Sequence, residues 1–335
     1  MTATAAASVA TRSSAGEGVP GPGWDARLVR LGGHFLQSRA WARCQVRIGA
    51  RVFYAATDRW VWLGLIRRVG PFRRLYLPYG PQVADTDALC DALRVAAICA
   101  RAHRCDYVQF EPGSTASLDP ARCGARRTRS RQAEWTRIIR LDVDETQLRA
   151  GLSKGHRSAI AAAERKGIVV QPTTAPEALE QFLQMLRETS DRTGMPIYDD
   201  AYYRAIVAEL VPSGEATMYV ARHGERAIGA AITLDLGETR YYAFAASAGD
   251  SEARRLGPGP PLVWRTMLDA RSAGKRTFDF WGIAPPDEEP EHAWSGFSAF
   301  KRSFGGQALR RNGTWDLPLR KVVYGAWRLA QVARR

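Results

Sequence analysis

The stretch that decides the fold reads FDFWGI at residues 278–283 and continues, after a loop, as GFSAFKRSFGG at residues 296–306. An aromatic run broken by glycine predicts a buried strand. Beyond the loop, Phe297, Phe300 and Phe304 recur at helical spacing, which predicts a short helix with Lys301 at the rim of its buried face. The two glycines that follow are expected to end this helix. A lysine fixed among core aromatics could stabilise an oxyanion or a phosphate, and a solvated surface lysine is the alternative.

Length and composition indicate two ordinary domains. The chain has 335 residues, of which 45% are hydrophobic and 24% charged. Residues 1–23 are rich in Ala, Ser, Gly and Pro and lack the order of a signal peptide, so we predict a disordered tail. No apolar run approaches the roughly 20 residues that a membrane-spanning helix needs.

Positive charge is concentrated in two segments of a chain with a formal net charge of +14. Residues 122–140 contain seven arginines and one acidic residue, and residues 301–335 contain nine basic residues and one acidic residue. Such a field favours RNA, nucleotide-linked substrates or an anionic membrane face. A solvated surface could explain either segment, but two of them favour an anionic partner.

The cysteines and histidines predict no metal site. The five cysteines (Cys44, Cys90, Cys99, Cys105 and Cys123) form no C-x-x-C pair and show no ligand spacing with the five histidines. Without an export signal, we expect reduced thiols and a cytoplasmic protein. The motifs of serine hydrolases, zinc proteases and P-loop proteins are lacking.

The order of predicted elements indicates an α/β chain with mixed sheets (α+β) and two similar halves. The first half has helices at 39–46 and 85–103 and strands at 51–56, 60–66, 74–77, 106–110 and 135–141. The second half has helices at 152–166, 176–192, 202–210 and 261–273, a hairpin at 217–222 and 227–235, and strands at 239–247 and 277–281. The order of the second half, with AIGAA at 227–231 in the hairpin, resembles the acyltransferase fold of the GNAT superfamily.

One segment tests whether this resemblance includes coenzyme A. Residues 254–259, RRLGPG, fit the R-x-x-G-x-G loop with which GNAT enzymes hold the pyrophosphate of coenzyme A at a helix N-terminus. That contact depends on backbone N–H groups, which Pro258, Pro260 and Pro261 lack. We therefore predict no cofactor, and interpret the segment as a stiff entry to the next helix.

Eight segments in the same order resemble the Fem family of peptidyl transferases, which add amino acids from aminoacyl-tRNA to the stem peptide of peptidoglycan precursors. They are LQSRAW (36–41), YLPYGP (76–81), FEP (110–112), KGHR with AERKG (154–167), TSDR (189–192), YYAFAAS (241–247), FDFWG (278–282) and FKRSFGG (300–306). The resemblance implies two GNAT-like domains, at 24–145 and 146–316, with the first completed by a helix at 317–335. It also implies a short member without a helical arm, because residues 151–167 leave no room for one.

The resemblance also implies roles for individual residues. Lys301 matches the family lysine that steadies the tRNA 3′ end and the oxyanion, and Phe300 packs beside it. Glu111 lies where the family usually has an aspartate near the acceptor amine. The expected substrate-binding residues are Arg192, Tyr241 and Tyr242, together with Gln45, where some relatives carry a phosphate-binding lysine that Arg43 or Arg47 could replace.

The expected function is transfer of an amino acid from aminoacyl-tRNA to an amine of a peptidoglycan precursor, either UDP-MurNAc-peptide or lipid II. An aminoacyl ester is already activated, so this reaction needs positioning and oxyanion stabilisation and no enzyme nucleophile. We expect a monomer in the cytoplasm whose positive surface also allows peripheral contact with the inner membrane face. Two alternatives stay open: an N-acyltransferase that uses an acyl-CoA donor, and a non-catalytic module that binds RNA or a membrane surface.

Overall fold

A computed structural model describes residues 14–114, 116–194, 196–287 and 292–332. The chain divides into two compact units. The first contains the described residues up to Ala42, Ala50–Arg129 and Thr314 onwards, and the second contains Arg43–Gly49 and Ser130–Gly313. We predicted the domain boundary after residue 145, but the structure has it after Arg129, because the next long strand pairs inside the second unit.

The elements before this boundary are mostly strands. They are β1 (Ser14–Glu17), α1 (Trp24–Arg30), a 3₁₀ turn (Phe35–Gln37), α2 (Arg39–Arg47), β2 (Val52–Ala56), β3 (Trp60–Val69), β4 (Phe72–Leu77), β5 (Gln82–Val83), α3 (Thr86–Ala102), β6 (Tyr107–Phe110), a second 3₁₀ turn (Pro120–Cys123) and β7 (Arg126–Arg127).

The elements after the boundary include seven helices and seven strands. The second unit contains β8 (Trp135–Arg140), α4 (Glu145–Gly151), α5 (Lys154–Arg165), β9 (Ile168–Thr173), α6 (Pro176–Thr193), α7 (Asp200–Leu210), β10 (Ala216–His223), β11 (Arg226–Leu236), β12 (Thr239–Ser247), α8 (Ser251–Leu256), α9 (Gly259–Ser272), β13 (Thr277–Ile283), α10 (Ser295–Arg302) and β14 (Gln307–Arg310). The chain then returns to the first unit as β15 (Trp315–Pro318) and α11 (Lys321–Val332).

The first sheet has the strand order β1-β2-β3-β4-β6-β15-β7, with β5 paired to β3. Helix α3 covers it, because its apolar residues recur at three- and four-residue spacing and place Leu89 and Leu93 against Trp60 and Trp62 in one buried cluster. The side chain of Asp85 caps the first turn of α3 by accepting the N–H of Ala88 at 2.9 Å. Aliphatic and indole side chains thus fill the space between the helix and the sheet.

The second sheet has the order β14-β8-β13-β12-β11-β10-β9. Its pairs are antiparallel except β12 with β13, which run parallel. The predicted helix around the FKRSFGG motif is confirmed as α10, and Gly305 and Gly306 end it with φ values of +85° and +70°. Strand β13 lies inside the sheet, with Phe278 and Phe280 fully buried.

We predicted a disordered tail over residues 1–23, but residues 14–23 are structured. Residues Ser14–Glu17 pair with β2 in antiparallel register. Strand pairing uses main-chain N–H and C=O groups, so a small polar segment can add to an open sheet edge without an apolar pattern of its own. Residues 1–13 lie outside the described residues.

The expectation that all cysteines are reduced is wrong. Cys90 of α3 forms a disulfide with Cys123 of the second 3₁₀ turn, 33 residues later. The turn packs against α3, so tertiary structure brings together two residues that the sequence gives no reason to pair. Cys44, Cys99 and Cys105 are free thiols, and burial raises the pKa of the first and last to about 12. Across the described ranges, every helix is too short or too polar to cross a membrane.

Candidate functional site

Strands β12 and β13 separate part-way along their length in the second unit. Their parallel ladder contains three pairs and ends at Tyr241 and Asp279. Both strands continue beyond this point, β12 to Ser247 and β13 to Ile283. The sheet is therefore open between them, and the FDFWG motif lies where the opening begins.

A bulge in β13 occupies the same place. Asp279 pairs with Ile138 of β8 and Gly282 pairs with Thr136, so β13 carries one extra residue in this interval. The extra length gives Trp281 a φ of +62°, in the left-handed region that a bulky residue rarely adopts.

The carboxylate of Asp279 stabilises the bulge. Its Oδ1 accepts the backbone N–H of Trp281 at 2.7 Å, and its Oδ2 accepts from Nη2 of Arg311 at 2.9 Å. The hydroxyl of Thr136 lies against the same carboxylate and 2.7 Å from the carbonyl oxygen of Trp281. Asp279 is only 2% exposed, so these contacts replace water around a buried charge. Sequence reasoning missed this residue, although a single acid inside an aromatic run was the available signal.

The bulge presents a carbonyl group to Lys301. Nζ of Lys301 donates to the carbonyl oxygen of Gly282 at 2.7 Å and lies 4.8 Å from the ring centroid of Phe297. Both contacts orient the ammonium group, and a lysine has three N–H donors, of which Gly282 takes one. Among the described residues, the charged group thus keeps two donors for a further acceptor.

Desolvation lowers the pKa of Lys301 to about 7, and the charge of Asp279 opposes this shift. A lysine with this pKa is divided between its charged and neutral forms near neutrality. It could therefore donate to a developing negative charge or exchange a proton at that pH.

Phe300 lies one position before Lys301 and packs at the start of α9. Its ring lies against the start of α9, where a Cβ atom on Gly259 would come within 3.2 Å of it. His156 of α5 lies 5.2 Å from the ring of Phe300 and 4.5 Å from that of Phe304. Burial lowers the pKa of His156, and its buried Nε2 has no hydrogen-bond partner among the described residues. No role for this histidine was predicted from the sequence.

The two predicted substrate residues of β12, Tyr241 and Tyr242, lie on opposite faces of the sheet. Tyr241 packs its ring edge-on to Trp281 at 5.8 Å, and Tyr242 contacts the rings of Phe278 and Phe280 on the other face of the sheet. Tyr242 is buried, and burial raises its pKa. The structure therefore brings Tyr241 to the bulge and places Tyr242 in the core.

Arg192 is exposed at the end of α6. Its Nη1 would lie 3.2 Å from a Cβ atom on Gly249, in the loop after β12. The carboxylate of Glu188, one turn earlier, accepts the N–H of Gly249 at 3.1 Å. The side chain of Arg192 thus lies beside the C-terminal end of β12.

Two of the three candidates on α2, Arg43 and Arg47, form ion pairs with Glu209 of α7. Arg43 forms ion pairs with Glu215 and Glu209, and Arg47 donates to Glu209 at 2.7 Å. Gln45 is 2% exposed. Because carboxylates already neutralise both arginines, phosphate binding by them would require these pairs to break.

Glu111 belongs to the first unit and follows β6. Its carboxylate accepts the N–H of Tyr79 at 2.9 Å and the hydroxyl of Thr314 at 2.9 Å. The hydroxyl of Tyr76 lies 3.2 Å from both of its oxygens. Glu111 is 4% exposed, so this structure shows it as a buried acceptor for three donors.

The segment that fits the coenzyme A loop pattern, residues 254–259, forms the end of a short helix and a proline-rich turn. Residues 251–256 form α8, and Gly257 follows with a φ of +65°. Pro258 is the N-cap of α9, with prolines in its first turn. The first turn of α9 consequently has few N–H donors to offer a pyrophosphate.

Comparison with known proteins bears on this architecture. A family model of the acetyltransferase (GNAT) domain matches residues 150–301. The crystal structure of FemX superposes with a TM-score of 0.75 at 19% identity, covering 90% of this chain and 97% of FemX. The fold is GNAT-like. A tandem GNAT protein from the clavulanic acid biosynthesis pathway also superposes, with a TM-score of 0.54 at 13% identity over 91% of this chain and 98% of that one.

Sequence comparison gives the same family resemblance. The lipid II:glycine glycyltransferase of Staphylococcus aureus (strain USA300) is 21% identical over 260 residues. The match covers 58% of this chain and 61% of that relative, so it spans about three fifths of the relative's length. The resemblance to the Fem family that the eight segments indicated is thereby confirmed.

Proposed function

We propose that this protein is an aminoacyltransferase that moves an amino acid from aminoacyl-tRNA to an amine of a peptidoglycan precursor stem peptide. The observation that carries the proposal is the placement of Lys301, whose Nζ is oriented by Gly282 and Phe297 at the opening between β12 and β13. The likeness to FemX and to the lipid II:glycine glycyltransferase supports a Fem-type reaction.

The chemistry needs no enzyme nucleophile. The acceptor amine attacks the ester carbonyl of the aminoacyl-tRNA, and the carbonyl oxygen becomes an oxyanion. The C–O bond to the terminal ribose then breaks, and the proton lost by the amine goes to the departing ribose oxygen. Lys301 donates to the oxyanion through an N–H that Gly282 does not use, which stabilises the charge as it forms.

Other residues take supporting roles in this proposal. Phe300 packs beside α9 and Tyr241 borders the bulge, and the segments that contain Arg192 and Tyr242 are proposed to contact the precursor. Glu111 is proposed to lie near the acceptor amine, and Gln45, Arg43 or Arg47 to contact its phosphates. The proposed acceptor is UDP-MurNAc-peptide or lipid II, and the proposed donor is aminoacyl-tRNA. These substrates imply a cytoplasmic protein, which works at the inner membrane face if the precursor is lipid-linked.

A transfer assay tests the proposal. Purified protein is given a mixed pool of radiolabelled aminoacyl-tRNAs with either nucleotide-linked or lipid-linked precursor, and label in the precursor is measured. We expect transfer by the natural protein and by Lys166→Met, an exposed lysine at the end of α5, and a loss of about 100-fold or more in Lys301→Met. Full turnover in Lys301→Met would remove that residue from the mechanism.

The acyl-CoA alternative is tested separately by calorimetry. We expect no binding of acetyl-CoA, because α9 begins with prolines and its Gly259 lies against the ring of Phe300. Measurable binding together with acetyl transfer to an amine would replace our proposal with the N-acyltransferase alternative. If neither transfer occurs with any donor, the protein is a binding module.

A further inference from the structure

The last helix of the first unit exposes an apolar face. Val322 is 87% exposed and Leu329 is 73% exposed, more than any other large hydrophobic side chain that the structure describes. They are seven residues apart on α11, and about two turns of helix return a side chain to the same face. The two side chains therefore form one outward apolar strip.

The opposite face of α11 fixes this orientation. Tyr324 is 3% exposed, donates from its hydroxyl to Oδ2 of Asp316 at 2.9 Å, and packs its ring 5.6 Å from that of Tyr107. Tyr324 lies on the side of the helix away from Val322. The apolar strip thus faces out while the helix is attached to the sheet.

Basic residues border the strip. Lys321 and Arg328 are both exposed and lie on the same flank of α11, since seven residues separate them as well. Beside the helix lies the β3–β4 hairpin, whose position follows from two contacts: Phe72 packs on Tyr107 and Tyr324, and Asp106 accepts both the N–H of Arg73 at 2.9 Å and Nη1 of Arg320 at 3.0 Å. Arg67 of β3 lies on the same face of the sheet as Phe72, because Phe72 pairs with Val69 and Arg67 is two residues before Val69. Arg68 and Arg73 lie on the opposite face, which α3 covers.

We propose that this α11 surface, made of Val322, Leu329, Lys321, Arg328 and Arg67, docks on an anionic lipid bilayer. Aliphatic side chains enter the boundary between headgroups and acyl chains, while the adjacent cations contact lipid phosphates. A bilayer fits both the aliphatic and the basic side chains of this surface better than two other partners do. A nucleic acid offers aliphatic side chains no apolar surface, and a second copy of the chain would bring like charges together.

The experiment is co-sedimentation of the full chain with vesicles. We expect binding to vesicles that contain phosphatidylglycerol and little to vesicles of phosphatidylcholine alone, with a decrease at high salt. Val322→Asp with Leu329→Asp should reduce the bound fraction by about tenfold or more, since it places two charges in the strip. Lys321→Glu should reduce binding to the anionic vesicles only, and Arg328 is left unchanged because its guanidinium also hydrogen-bonds the hydroxyl of Tyr324. The matched control is Val169→Asp, a 56% exposed valine on β9.

The two alternative partners give distinct results. Unchanged vesicle binding in the Val322/Leu329 variant overturns the proposal. If that variant instead abolishes a concentration-dependent dimer in analytical ultracentrifugation, or weakens tRNA binding with no effect on vesicles, the surface has that other partner. Circular dichroism establishes that each variant folds. The inference is independent of aminoacyl transfer, because transfer to a water-soluble nucleotide-linked acceptor should survive in the variant.

Discussion

Nζ of Lys301 lies 2.7 Å from the carbonyl oxygen of Gly282, a carbonyl that points to α10 because the preceding residue, Trp281, has a φ of +62°. A regular strand would not place this carbonyl in the same way. The position of the candidate catalytic lysine thus depends on a strained bulge, and the bulge depends on the carboxylate of Asp279.

The first prediction concerns Asp279. Asp279→Ala removes the acceptor for the N–H of Trp281 and breaks the ion pair with Nη2 of Arg311, so we expect a loss of about 3 kcal/mol in the free energy of unfolding. Asp279→Asn keeps an amide oxygen for the same N–H and loses only the charge, so it should be less destabilising. Urea denaturation monitored by tryptophan fluorescence measures both.

The control for this series is Asp191→Asn, an exposed acid near the end of α6. If Asp279→Ala is as stable as the control variant, the bulge does not depend on the carboxylate. In the transfer assay we also expect Asp279→Ala to lower kcat more than the Asn variant, because it releases the Gly282 carbonyl that orients Lys301.

The second prediction is a pH profile of transfer. If Lys301 must be charged to stabilise the oxyanion, kcat should fall as the pH rises through about 7, the pKa to which burial lowers this lysine. Lys301→Arg keeps its charge at every pH in this range, so it should be slower but lack the falling limb. A profile whose falling limb is unchanged in Lys301→Arg would assign that limb to another group.

The sequence predicted the parts of this site that are local. Aromatic residues three and four apart predicted α10, the paired glycines predicted its end, and the apolar run predicted β13 as a buried strand. The family resemblance then singled out Lys301. Each of these inferences depends on neighbours within about one helical turn or one strand.

The parts that could not be predicted depend on contacts between distant residues. The bulge is a register shift between β13 and β8, and Thr136 is 143 residues from Asp279. The ion pairs of Arg43 and Arg47 join α2 to Glu209 and Glu215. Local sequence patterns cannot predict these pairs, because the partners are far apart in the sequence. The lowered pKa of Lys301 likewise comes from tertiary burial, and the segment alone resembles a solvated helix face.

The third prediction uses stability to test the same pKa without any substrate. Lys301 titrates at about 7 in the folded chain against 10.5 for an ordinary lysine. Between these values the unfolded chain holds a proton that the folded chain lacks, so this residue makes stability rise with pH from 7 to 10.5. Below pH 7 both states are charged, and the buried charge opposes folding in full.

The measurement is the difference in free energy of unfolding between the natural protein and Lys301→Met at several pH values. Because other groups titrate alike in both proteins, the difference isolates Lys301. We expect the natural protein to gain stability relative to the variant as the pH rises through this window. A difference that is flat with pH would mean that Lys301 keeps an ordinary pKa.

The last prediction concerns the disulfide between Cys90 and Cys123, which closes a loop with a sequence separation of 33 residues. Restricting such a loop in the unfolded chain stabilises the folded state by about 4 kcal/mol. A reductant should therefore lower the Tm of the natural protein and leave that of the Cys90→Ser, Cys123→Ser double variant unchanged. Cys99→Ser, which replaces a free half-buried thiol, should respond to the reductant as the natural protein does. An equal Tm for the natural protein with and without reductant would contradict the predicted stabilisation by this disulfide.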